Sequence, residues 1–308
     1  MSSASPNADQ ELWSEWLAHG RHGDDPAYAA ALHATVRGYV DRVLDAAALA
    51  PGQTLLDLGS GEGALAWRAI ERVGPDLAVI VSELFPALLA TARARARALG
   101  VEAQCRFVQA DAVDLGAVAT ESVDAVTARS VLAYVADKRA ALRECLRVLK
   151  PGGVLSLAEP VFQDEAFEAN LLRHRLETQP GADQDMGLRL LHRWKSAQFP
   201  DTLAAIAAMP MCSHSERDLL RFAMAEGFVD LHLQLDIRVA PSPVRDWALF
   251  LEITPHPWAP NLRSILRERC TAEEAALFEH LVRPAVEAGV QPTTDRMVYL
   301  SARKPARS

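Results

Sequence analysis

Residues 55–63 read Leu55-Leu56-Asp57-Leu58-Gly59-Ser60-Gly61-Glu62-Gly63, an apolar strand that runs into an acid and then three glycines at alternate positions. Glycines so spaced let the backbone turn sharply off a strand and approach a ligand without a Cβ in the way. Residues 64–73, which follow, have helical composition. A strand, a glycine turn and a helix N-terminus in succession form a nucleotide-type pocket at the edge of a doubly wound α/β sheet. Asp57 precedes the glycines, where it would repel a pyrophosphate and attract a ligand carrying an ammonium group.

Further landmarks follow in order. An apolar strand over residues 77–81 leads to Glu83, with Leu84 next. Residues 105–111 read Cys-Arg-Phe-Val-Gln-Ala-Asp, a third strand ending at Asp111 before Ala112. Residues 122–127 give a fourth strand, and residues 147–159 run through Lys150-Pro151-Gly152-Gly153, a turn by its chemistry, into a fifth. Over residues 51–160 this series resembles the class I S-adenosylmethionine-dependent methyltransferases of small-molecule type, whose first motif has the form acid-x-Gly-x-Gly-x-Gly. The resemblance implies a cofactor site of Asp57, Gly59, Ser60, Gly61, Gly63, Glu83, Leu84, Asp111, Ala112 and Arg129. In it Glu83 chelates the ribose hydroxyls, Asp111 faces the adenine amino group and Arg129 lies near the transferring methyl. The implied cofactor is S-adenosyl-L-methionine, leaving as S-adenosyl-L-homocysteine, with no metal.

The expected fold is α/β, a doubly wound, seven-stranded, mostly parallel sheet with N-terminal helices and two helical insertions forming a substrate lid. The expected divisions are a tail and helical lid over 1–50, a Rossmann-like cofactor core over 51–160, a helical cap over 161–214, a core helix and strand over 215–239, a second helical insertion over 240–295, and the last core strand and tail over 296–308. Leu12, Trp13, Trp16 and Leu17 share one face of a short first helix, and a longer helix spans 27–48. The core helix spans 215–226, with Gly227 as its stop. Residues 228–239 alternate apolar and polar as a sixth strand, the second insertion carries two helical stretches, and residues 296–303 are the seventh strand. Insertions at these points land beside the cofactor pocket, where such folds build substrate cavities.

Composition narrows the partners. A net charge of -8 disfavours electrostatic capture of nucleic acid, and the run Arg93, Arg95, Arg97 reads as a solvated helix face. The chain has 308 residues, half of them hydrophobic, enough for a substantial core. Cys105, Cys145, Cys212 and Cys270 are scattered without a Cys-x-x-Cys pair, so zinc and redox motifs are absent. No apolar run approaches the roughly 20 residues that span a bilayer. Residues 1–9 read as a frayed tail and not a secretory signal. The expected setting is cytoplasmic with a small-molecule substrate, and monomer and homodimer stay open.

With an activated methyl, the protein must chiefly align a nucleophile, and a base is needed only for a hydroxyl or a protonated amine. Candidates are His192, beside Trp194, and His256, beside Trp258, with His19 and His22 near the first helices. Arg129 could bind an acidic substrate group or pair with Asp124. Tyr134 and Lys138 match a Tyr-x-x-x-Lys dehydrogenase pattern, but Tyr134 follows the fourth strand too soon for that role; it lines the transfer site or packs in a helix. The place of the Asn/Asp-Pro-Pro-Tyr/Phe loop of base-amino and glutamine methylating enzymes holds Thr127-Ala128-Arg129-Ser130, and no Pro-Cys dipeptide of cytosine C5 enzymes exists. The expected function is methyl transfer to a small organic metabolite at oxygen by in-line displacement. The alternatives are a nitrogen or carbon acceptor, a peptide or protein substrate, or a cofactor-binding protein that transfers nothing.

Overall fold

The structure, a computed structural model, describes residues 6–307. Of the tail expected over residues 1–9, residues 1–5 lie outside the described residues, and from Pro6 onward the chain is already helical. The described residues divide into two compact units. One combines 35–161, 214–236 and 296–307; the other combines 6–34, 162–213 and 237–295.

The first unit is built on strands β1 (Thr54–Leu58), β2 (Ala78–Glu83), β3 (Cys105–Gln109), β4 (Val123–Arg129) and β5 (Leu149–Pro160). Strands β6 (Val229–Pro241) and β7 (Pro292–Arg303) complete a seven-stranded sheet of order β3-β2-β1-β4-β5-β7-β6. Strands β1 to β5 pair in parallel, and β7 runs antiparallel to β5. The order reverses at β1, so the carboxyl ends of β1 and β4 open a crevice.

Strand β1 carries leucines on both faces because helices cover both sides of the sheet. Leu55 joins a cluster with Val36, Val40 and Val43 of α2 (Pro26–Ala47) and with Ala66 and Ile70 of α3 (Ala64–Val73). Leu56 and Leu58 point the other way, into a cluster with Leu142 and Cys145 of α5 (Lys138–Val148) and Leu219 of α9 (Glu216–Ala225). Side chains alternate along a strand, which puts Asp57 on the α2 and α3 face. The turn expected at 150–153 is absorbed into β5 as a bulge: Val123 pairs with Leu149 and Ala125 with Val154, while Gly152 takes φ +78°. Lys150 Nζ donates to Asp124 Oδ2 at 2.8 Å across it.

Helix α4 (Pro86–Ala98) carries Arg93, Arg95 and Arg97 at exposed positions, as expected, and the Arg93 guanidinium lies 4.8 Å from the centre of the Phe107 ring.

The second unit contains α1 (Pro6–Glu15), a wide helical turn (Trp16–Gly20), and α6 (Gln163–Thr178), α7 (Met186–Gln198) and α8 (Leu203–Ala208) from the first insertion. The second insertion supplies three helices where two were expected: α10 (Trp247–Glu252), α11 (Leu262–Arg269) and α12 (Ala272–Glu287). The extra one is only six residues long, too short to show a helical period. Most begin at a side-chain cap; Asp185, Thr202, Asp246, Asn261 and Thr271 each accept an N–H three residues on. Leu190, Trp247, Phe250, Leu262 and Phe278 form this unit's core. Each unit contains one fully buried thiol, Cys145 in the sheet unit and Cys212 in the helical one.

Leu157→Ala in the middle of β5, where the side chain is 1 % exposed, is expected to cost about 2–5 kcal/mol. Urea unfolding of the variant beside the parent chain measures it.

Candidate active site

The turn after β1 is drawn tight by its own backbone. Ser60 N–H donates to Ser82 O at 2.9 Å, Ser60 Oγ to Asp57 O at 2.8 Å, and Gly63 N–H to Ser60 O at 2.8 Å. Two glycines there serve different ends. Gly59, at φ +59°, has Val131 Cγ2 only 2.6 Å from where a Cβ would stand, so the loop after β4 packs directly on its backbone. Gly61, at φ +54°, has nothing within 4 Å of that position. Its N–H donates to Glu83 Oε2 at 2.9 Å. The open space over Gly61 is a cradle that a side chain would fill.

Glu83 ends β2 almost fully buried, and its Oε1 accepts the Phe85 N–H at 3.1 Å. Burial raises its pKa, partly opposed by these amide bonds. A carboxylate has about four acceptor sites, so two backbone donors leave capacity for a diol. Asp111 is exposed beyond β3, with Oδ1 accepting Val113 N–H at 3.1 Å. Leu84 is 45 % exposed beside Glu83, whereas Ala112 is buried.

Asp57 is 1 % exposed, beneath the turn. Its Oδ2 accepts Ala66 N–H of α3 at 3.2 Å, and Oδ1 has no hydrogen-bond partner among the described residues. Desolvation pushes its pKa up to about 7, against Ser60, Ala66 and Arg129, which favour the ionised form. Thr127, its register partner on β4, also buries an unpartnered Oγ1.

Arg129, at the end of β4, donates to Ser130 Oγ at 3.1 Å. It does not pair with Asp124, whose carboxylate is taken by Thr54 N–H and Lys150. Burial lowers its pKa, while Tyr134, Glu159 and Asp57 favour the cation. Tyr134 lies in the turn between β4 and α5, not in a helix, its N–H donating to Val131 O. Lys138 is buried with Nζ on Val135 O at 2.9 Å, a structural use of the second residue of the Tyr-x-x-x-Lys pattern.

One functional group escaped the sequence reading. Glu159, fully buried at the end of β5, accepts Val131 N–H at 3.0 Å and Ala133 N–H at 3.0 Å, fixing the loop that presses on Gly59. Burial raises its pKa, and those amides hold it back. An acid at the end of an apolar strand, six residues past Gly152-Gly153, was the available signal.

The candidate histidines lie in the helical unit. His192 Nε2 is 2.9 Å from Asp201 Oδ2, a carboxylate that can orient and support an imidazolium. His256 is unsuited to be a base. It is 1 % exposed among Phe162, Phe199 and Trp258, its Nε2 lies 2.8 Å from Gln198 O, and desolvation lowers its pKa to about 4. His19, near the wide helical turn, is exposed and pairs with Asp24 at 2.7 Å. His22 buries an unpartnered Nδ1.

The orphaned Asp57 oxygen, the vacant space over Gly61 and the spare acceptor capacity of Glu83 fit a ligand with a diol and a positive charge better than a pyrophosphate. Among the described residues no group of His, Cys, Asp and Glu could hold a metal ion. No helix among them is long and apolar enough to cross a membrane.

Residues 49–194 match the family model described as a methyltransferase domain. The sheet unit has the fold of the class I methyltransferases. It is similar to the ubiquinone/menaquinone biosynthesis C-methyltransferase UbiE of Idiomarina loihiensis, 36% identical over 38% of this chain and 48% of that protein. It is likewise similar to UbiE of Vibrio vulnificus, 37% identical over 39% of this chain and 46% of that one. The chain thus spans about half the length of the curated relatives it matches. Among solved structures, the YcgJ protein of Bacillus subtilis aligns with a TM-score of 0.52 at 18% identity, covering 88% of this chain and 99% of that one. A putative methyltransferase of Bacillus halodurans aligns at 0.51 and 19%, covering 87% and 100%. These likenesses establish the fold.

Two variants separate the glycines. A left-handed φ costs an L-residue about 1–2 kcal/mol, so both Gly59→Ala and Gly61→Ala are expected to lower the melting temperature. Only Gly59→Ala also meets Val131, so a further Val131→Ala change is expected to restore part of its stability and none of that lost by Gly61→Ala. Gly61→Ala is expected to lose S-adenosylhomocysteine binding in titration calorimetry out of proportion to its stability.

The raised pKa of Asp57 has a definite sign. Its folded value of about 7 lies above its ordinary 3.8, so its stabilising contribution is complete below that ordinary value and disappears as pH rises through 7. Ligand-free Asp57→Asn is expected to match the parent near pH 4 and to exceed it increasingly towards pH 8, read from denaturant midpoints.

Proposed function

We propose that this chain transfers a methyl group from S-adenosylmethionine to a small organic molecule. The observation that carries the reading is the cradle over Gly61, walled by the Glu83 carboxylate at the carboxyl ends of β1 and β2. The methyltransferase domain match supports it. Bound there, the cofactor would supply a methyl already activated on a sulfonium.

The chain's own residues then have separate tasks. Gly61 and Glu83 seat a ribose, Asp111 and Leu84 flank an adenine, and Asp57 adds negative potential beneath the turn once it ionises. Arg129 contributes a fixed cation at the end of β4, suited to an acceptor carrying an oxyanion.

Oxygen was the expected acceptor. The curated relatives are named C-methyltransferases, which favours a carbon acceptor as a second reading. A hydroxylated ring or an enol accommodates both. Loss of the hydroxyl proton makes oxygen and the adjacent carbon nucleophilic, and the Arg129 cation serves either outcome.

Incubation with S-adenosylmethionine labelled in its methyl group and a small-molecule extract is expected to place label in a small metabolite. Glu83→Ala removes charge-assisted hydrogen bonds of about 1.5–3 kcal/mol each and is expected to weaken cofactor binding at least tenfold. Absence of label from small molecules, with label in protein instead, would overturn the assignment of substrate class.

A further inference from the structure

Strand β6 is the edge of the sheet, and its sequence is symmetric in chemistry about its centre. One side carries Asp230, His232, Gln234, Asp236 and Arg238; the other carries Val229, Leu231, Leu233, Leu235, Ile237 and Val239. Leu231, Leu233 and Leu235 pack on the core cluster below. The outer residues of the apolar row do not: Val229 is 41 %, Ile237 55 % and Val239 68 % exposed. On the polar row, Asp230, His232 and Arg238 make no ion pair among the described residues.

We propose that a second copy of this chain pairs antiparallel along β6, with the two-fold axis at Gln234. About that axis Gln234 faces its own counterpart, His232 lies opposite Asp236 of the other copy, and Arg238 comes to the end where the other copy carries Asp230. The apolar row closes the same way, Leu233 against Leu235, Leu231 against Ile237, and Val229 against Val239. The exposed side chains from Val229 to Val239 thereby meet partners of matching chemistry. Cross-strand neighbours of opposite charge favour pairing, and like charges directly opposite oppose it.

The register is specific. Moving the axis to Leu233 sets Asp230 against Asp236, and moving it to Leu235 sets His232 against Arg238, so either two-residue slip loses the charge match. Asp236 keeps its bond to Arg42 within its own chain and can accept from a second donor. Asp230 takes φ +51°, so the regular ladder runs from Leu231 to Ile237 and the charges of Asp230 and Arg238 flank it. Pro241, without an N–H, ends the strand outside that ladder. Edge strands ordinarily carry charges that block such pairing; here they are arranged to accept one partner, the same strand reversed.

Sedimentation velocity on the full chain across a concentration series tests this, beside thiol cross-linking. The chain is expected to dimerise. Arg238→Asp, which sets like charges at both ends, is expected to weaken the dimer about tenfold, equivalent to about 1.4 kcal/mol. Ile237→Asp, at a position exposed in the single chain, is expected to leave the melting temperature and circular dichroism intact while weakening association. Gln234→Cys is expected to form an intermolecular disulfide under mild oxidation; Val229→Cys alone is not, although a mixture of Val229→Cys and Val239→Cys chains is. A chain that stays monomeric throughout overturns the proposal. So does a dimer that ignores Arg238→Asp and Ile237→Asp or leaves Gln234→Cys uncross-linked.

Discussion

At the end of β5 the carboxylate of Glu159, sealed from water, takes the backbone N–H groups of Val131 and Ala133. Those bonds hold the loop after β4 against the turn after β1, where Val131 rests on the bare backbone of Gly59. A buried anion satisfied only in part would be costly, because its desolvation must be met by hydrogen bonds. The loop therefore cannot drift without stranding the charge. The shape of the glycine turn, and with it the cradle over Gly61, is fixed from a neighbouring strand.

The same economy of backbone donors recurs along the sheet's carboxyl edge. Glu83 is held by the amides of Gly61 and Phe85, and Asp57 by that of Ala66. Asp57 keeps an oxygen without a hydrogen-bond partner among the described residues, and burial raises its pKa to about 7. Arg129, at the end of β4, supplies positive potential to Asp57 and Glu159 alike. A binding edge lined with partly neutralised acids can respond to a cation by ionising, where a fully paired one would not.

Much of the sheet unit was legible because its signals are local. Helix α3 falls on residues 64–73 as composition indicated, and β1, β2 and β4 lie within two residues of their expected bounds. Glycine spacing and strand-end acids report backbone geometry directly. What escaped was set by tertiary environment. The burial of Asp57 depends on α2 and α3 covering its face, and that of His256 on Phe162 and Phe199, far away in sequence. The pairing of Asp124 with Lys150 arises from a bulge that sequence chemistry presented as a free turn. Short α10 lacked the length for periodicity, while its cap, Asp246, was visible but uninterpreted.

The distribution of thiols has a use of its own. Burial raises the pKa of Cys145 to about 12, and only the thiolate reacts; Cys212 is likewise sealed. Each sits at zero exposure in a different compact unit, so neither can meet a reagent until its own surroundings open. The rates at which these two sulfurs become alkylated therefore act as separate clocks for local unfolding. One chain, without any label added, can report whether its sheet and its helical cluster come apart together or in turn.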